Sequence, residues 1–120
     1  MFKEAGILTL REVAEGLEAN MKALDDLVAT VQDAGNRAAK TEAAYKIENA
    51  KSRLTIKGTA IEKLTVSDIE AEALIQCEGL FTAYLIAQNH LLTVREALRA
   101  VQSKVDGYRT LAASFRNAGG

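Results

Sequence analysis

The sequence predicts an all-α protein whose architecture is a long antiparallel hairpin of two helices. Three observations predict it. The 120-residue chain contains no proline, so nowhere does a missing amide hydrogen or a ring clash oblige a helix to stop. Apolar side chains recur at alternating spacings of three and four residues over most of its length, the period that keeps one helical stripe against a partner. Blocks of opposite charge lie where folding the chain back on itself sets them face to face.

The composition suits that reading. Apolar residues make up 48% and charged residues 26% of the chain, with no tryptophan and only three Tyr and three Phe. Ala, Leu, Val and Ile must therefore build the interior, as they do where helix backbones approach closely. The chain reads as one helical domain over 1–120.

The first helix is expected from about residue 9 to 57. Leu10, Leu17, Leu24, Val31, Ala38 and Tyr45 recur every seven residues, with Ala14, Met21 and Val28 as the companion row. Past Tyr45 the apolar row moves to Ile47, Ala50 and Leu54. Gly35-Asn36 marks the change of phase, either as a stutter or as a break, because Gly followed by Asn is a helix-stop signal. One bent helix is the favoured form. The connection spans 58–65.

The second helix, from about 66 to 116, has the cleaner pattern. One row reads Cys77, Tyr84, Leu91, Leu98, Val105, Ala112, and the other Ala73, Leu80, Ala87, Val94, Val101, Tyr108, Phe115. Thr65 and Asp68 have the spacing of a capping box at its start, and Gly119-Gly120 ends it.

Charge selects the pairing. Residues 1–33 hold three bases and seven acids, and 37–57 six bases and two acids. Residues 62–78 hold one base and five acids, and 95–116 five bases and two acids. A fold near residue 62 lays 37–57 along 67–87 and 1–33 along 91–120, so each basic block faces an acidic one. On this reading Arg95, Arg99 and Arg109 pair with the acidic N-terminal segment. Each exposed pair gives only about 0.2–1 kcal/mol, so charge chooses the topology more than it supplies stability.

Around 74–92 the second helix is apolar on more sides than one seam needs. Leu74, Phe81, Leu85, Ile86 and Leu92 fall off the seam, and a helix apolar nearly all round is buried nearly all round. The expectation is a homo-oligomeric bundle with these five residues at its interface.

The search for chemistry returns little. One His and one Cys cannot build a tetrahedral nitrogen–sulfur metal site. Cys77 falls on the seam beside Glu78, a setting for a packed thiol and not for a nucleophile. His90 flanks the seam in the uncharged stretch 79–94 and reads as a buried or interfacial histidine. The glycines stand singly, without a phosphate loop. No catalytic residue, metal or cofactor is expected, and the chain reads as a non-enzyme.

The basic block Arg37, Lys40, Lys46, Lys51, Arg53, Lys57 reads first as a solvated face balanced by Asp68, Glu70, Glu72 and Glu78. In an oligomer, copies of Arg37, Lys40, Tyr45, Lys46 and Arg53 could instead converge on an anion, since guanidinium forks and aromatic faces serve nucleotide recognition.

The formal charge of −1 gives no bias toward nucleic acid. The run 79–94 is sixteen residues, about 24 Å of helix against a bilayer core of about 30 Å, so no membrane span is expected. The first six residues lack the apolar core of a signal peptide. A lone cysteine points to no oxidising compartment.

Glu42-Ala43-Ala44-Tyr45-Lys46-Ile47 with Ala50-Lys51, Val94-Arg95-Glu96-Ala97-Leu98-Arg99-Ala100, and Tyr108-Arg109-Thr110-Leu111-Ala112-Ala113-Ser114-Phe115-Arg116 resemble small helical, coiled-coil-like proteins of tailed bacteriophages and prophages. The likeness covers about residues 37–117. This chain is less Arg-rich and less acidic than those proteins. The group carries no established activity, so the resemblance implies a setting, the cytoplasm of an infected bacterium. The functional expectation is a non-catalytic oligomeric binding protein that interferes with a host process, by gripping a host protein or sequestering a small nucleotide-like anion. An accessory factor for phage DNA replication or recombination, and a structural or scaffolding helix pair, are the alternatives.

Overall fold

The computed structural model describes residues 8–119. The N-terminal residues read above for a signal peptide, the first part of the acidic block, and Gly120 lie outside them. The described chain forms three helices and no strand: α1 Leu10–Thr59, α2 Val66–Gln76 and α3 Glu78–Gly119.

Each boundary has a local cause. Thr9 caps α1, its Oγ1 accepting from the Glu12 amide at 3.2 Å. α1 then runs unbroken through Gly35 and Asn36. The residues 60–65 separate it from α2, whose start is the anticipated capping box. The Asp68 amide donates to Thr65 Oγ1 at 3.1 Å and the Thr65 amide to Asp68 Oδ2 at 3.3 Å.

The second helical stretch is interrupted where one continuous helix was expected. Cys77 adopts φ −104° and ψ 18°, about 40° and 60° from helical values. Its amide still reaches Ala73 O at 3.0 Å, and its carbonyl accepts from Phe81 at 2.8 Å. The hydrogen-bond ladder therefore passes through a local kink.

The chain packs as two compact units, one pairing α1 up to Val31 with α3 from Thr93, the other spanning Gln32–Leu92. In the first unit Val13 and Val105 are the largest fully buried side chains. Gly16 lies against Tyr108, and Leu24 shares a groove with Gln102, Val105, Asp106 and Arg109. Partner numbers fall as α1 numbers rise, which is antiparallel packing. The second unit pairs the same way, with Tyr45 on Tyr84, Ser52 on Cys77 and Arg53 on Glu70. Its core is narrow and alanine-rich: Ala34, Ala38, Ala73 and Ala87, with Ile56, Cys77 and Leu91.

The α1 rows need two corrections. Leu10 is exposed, and the leading row is buried or half-buried only from Leu17 to Tyr45, with Val13, Asn20, Leu27 and Ala34 as its companion. Ala14, Met21 and Val28 are exposed. Asn20 hides this row from a hydropathy pattern, because its amide is satisfied locally by Gly16 O at 2.7 Å. Past Tyr45 the inward row continues as Asn49, Ser52 and Ile56, while Ile47, Ala50 and Leu54 face outward. Polar residues fill the seam there, and the companion row shifts by one residue between Ala34 and Asn49, so the change of phase is a stutter within an unbroken helix. On α3 the expected rows hold except at Leu80, which is exposed while Phe81 turns half inward.

The glycines of α1 separate two effects. A Cβ on Gly35 would meet nothing within 4 Å, whereas one on Gly16 would lie 2.5 Å from Cε1 and Cζ of Tyr108. Gly35→Ala should stabilise the protein by about 0.5–1 kcal/mol through helix propensity. Gly16→Ala must displace a half-buried ring and should give a net loss of about 1 kcal/mol. Thermal melts of the two variants check this, and equal gains would show that Tyr108 moves aside freely.

Candidate functional site

The side chains singled out from the sequence for ligand binding and self-association all lie in the Gln32–Leu92 unit, on either flank of its seam. α1 turns about 100° per residue, which sets Arg37 and Lys46 about 180° apart with the seam between them. Arg37, Lys40 and Lys51 thus occupy one flank, and Lys46, Arg53 and Lys57 the other. The basic block does not converge within one chain.

Each flank has its own partners. Lys46 Nζ is 3.0 Å from Glu42 Oε1. That hydrogen bond, and then the carboxylate charge, hold its ammonium above the ordinary lysine range, with burial opposing slightly and Tyr84 adding to the rise. Whatever this pairing contributes is present below the ordinary lysine pKa and is lost as pH rises through the raised one. Lys51 Nζ is 3.6 Å from Glu48. Arg53 reaches Glu70 across to α2 at 4.0 Å, and the other ion pairs between described residues lie within α1. Charge thus decorates this unit, and packing holds it.

Tyr45 belongs to an aromatic cluster. Its ring stacks on Tyr84, centroids 5.7 Å apart and planes 6° from parallel. It also meets Phe81 at 5.0 Å and 51°. The offset and tilted pairs suit the ring quadrupoles.

The five interface candidates divide between the flanks. Leu74, Phe81 and Leu85 line one open groove with Ile75, Glu78 and Thr82. Leu92 lies one heptad beyond Leu85 on the same stripe. Ile86 points into a second groove of about 440 Å³, lined with Arg37, Thr41, Ala83, Ala87 and His90. Leu74 is 38% exposed, Leu85 45%, Ile86 64% and Leu92 55%, so the chain by itself leaves this apolar surface uncovered.

The Ile86 groove is what the sequence reading missed. Its walls are apolar and its rim carries Arg37, the Thr41 hydroxyl and the His90 ring. His90 stands exposed at that rim, outside the packed core. The spacing of 37 and 90 shows nothing until antiparallel pairing sets them side by side. Cys77 is buried, its Sγ 3.6 Å from Ser52 Oγ. Among the described residues no three of His, Cys, Asp and Glu gather as metal ligands, and no helix is long and apolar enough to cross a membrane. Comparison with protein families, characterised proteins and solved structures finds no match to this chain.

Proposed function

We propose that this protein is a non-catalytic helical binding module that works as a homo-oligomer. The observation that carries the reading is the apolar side chains left exposed on both flanks of α2 and α3, Leu74, Leu85, Ile86 and Leu92. Clustered apolar surface of this kind marks association sites on folded proteins. One flank serves self-association and the other, with Arg37 and His90 on its rim, receives a partner. The likeness of residues 37–117 to phage-encoded helical proteins supports a host protein as that partner, bound so as to interfere with a host process. Sedimentation velocity over a hundredfold range of concentration tests the core of the reading. A mass of two or more chains is expected, and a monomer throughout overturns it.

A small nucleotide-like anion is the second reading, supported by Arg37, Thr41 and His90 meeting at one groove. A cyclic nucleotide should then raise the melting temperature by several degrees through preferential binding to the folded state. The rise should vanish in Arg37→Glu. No rise in the unaltered protein removes this reading and leaves the first standing.

A further inference from the structure

We propose that a second copy of this chain packs antiparallel on the stripe Leu74, Phe81, Leu85 and Leu92, about a two-fold axis level with residue 83. The inference rests on the homo-oligomer reading and adds the face and the direction of pairing.

The stripe is palindromic. Its members stand seven, four and seven residues apart. Two copies running in opposite directions set Leu74 level with the partner's Leu92 and Phe81 level with the partner's Leu85. Glu78 comes level with Gln88. At the four stripe positions apolar meets apolar, and the same patch serves both copies, as an isologous contact requires.

Charge selects the direction. Residues 62–78 hold five acids and one base. Parallel copies would lay that block on itself, and like charges set together at an interface disfavour the pairing. Antiparallel copies about residue 83 lay it along 88–104, where Arg95, Arg99 and Lys104 outweigh Glu96. Glu70, on the stripe's own flank beside Arg53, then comes level with Glu96 of the second copy, with Arg95 and Arg99 each within one turn. The opposite flank offers no such match. Ile86 is bordered there by Arg37 and His90, with Lys40 on the same side of α1, so two copies would bring bases together.

The centre of the stripe is held in place before it binds. Phe81 packs between Tyr45 at 5.0 Å and Tyr84 at 6.3 Å. A surface already ordered loses little freedom on association.

The experiment uses the full chain. Leu74→Glu with Leu85→Glu should raise the dimer dissociation constant about 100-fold, as expected when two anchors of a small interface are lost. Helical circular dichroism should be unchanged, since both side chains are already exposed. In a Cys77→Ala background, Leu74→Cys and Leu92→Cys chains should cross-link when mixed with a short thiol-reactive linker. Neither should link efficiently to itself. Self-linking of Leu74→Cys, or a dimer that survives the double Glu variant, overturns the proposal while leaving the homo-oligomer intact. A monomeric unaltered protein overturns both.

Discussion

Val105→Asp is expected to lower stability by roughly 4 kcal/mol, the largest effect of any single change considered. Val105 is 2% exposed, one of the two largest fully buried side chains. Losing its burial removes about 1.5–3 kcal/mol, and an unpaired carboxylate in its place adds several more unless it takes up a proton. Against a total of about 5–15 kcal/mol for a typical domain, that is a large share. Urea unfolding followed by circular dichroism should show the midpoint fall, with Val105→Ala in between at about 2 kcal/mol. Burial raises the introduced carboxyl's pKa above its unfolded value of about 3.9. The deficit should thus be smallest below that pH and grow as pH rises through it. A pH-independent deficit would mean that water reaches position 105.

Tyr45→Ala should remove roughly 2–3 kcal/mol. The half-buried ring has two aromatic partners, stacked on Tyr84 and tilted against Phe81, and such pairs add about 0.5–1.5 kcal/mol beyond area burial. Tyr45→Phe keeps both contacts and should stay within about 0.5 kcal/mol of the unaltered protein. The pair of variants also separates packing from ligand binding at a position that sequence reasoning placed in an anion site. An equal loss in both would put the hydroxyl, and not the ring, in charge.

The periodicity of α3 was legible because its inward positions are filled by residues that are apolar in their own right, from Ala87 and Leu91 to Val105. The inward face of α1 was half hidden. Asn20, Asn49 and Ser52 sit there, and small polar side chains pack in a narrow seam without an apolar signature, Asn20 with its amide on Gly16 O and Ser52 with its hydroxyl beside Cys77 Sγ. Cys77 looked like any other seam position, since a kink that keeps its hydrogen bonds leaves little trace in residue type. The basic block showed the opposite limit. Six like charges over twenty-one residues read as one patch along the chain, yet helical rotation deals them to two flanks.

The amino-acid order by itself determined the single reversal near residue 62, the antiparallel sense of each unit, and the two helical stretches, though not the interruption at Cys77. These follow from spacing and charge, which are properties of the chain written out in one dimension. Only the tertiary structure decided which of two adjacent rows faces inward, and that Arg37 meets His90 while Leu85 and Ile86 part to opposite flanks. The reason is geometric. A rotation of about 100° per residue makes neighbours in sequence strangers in space, and the packing against the other helix chooses the face that disappears.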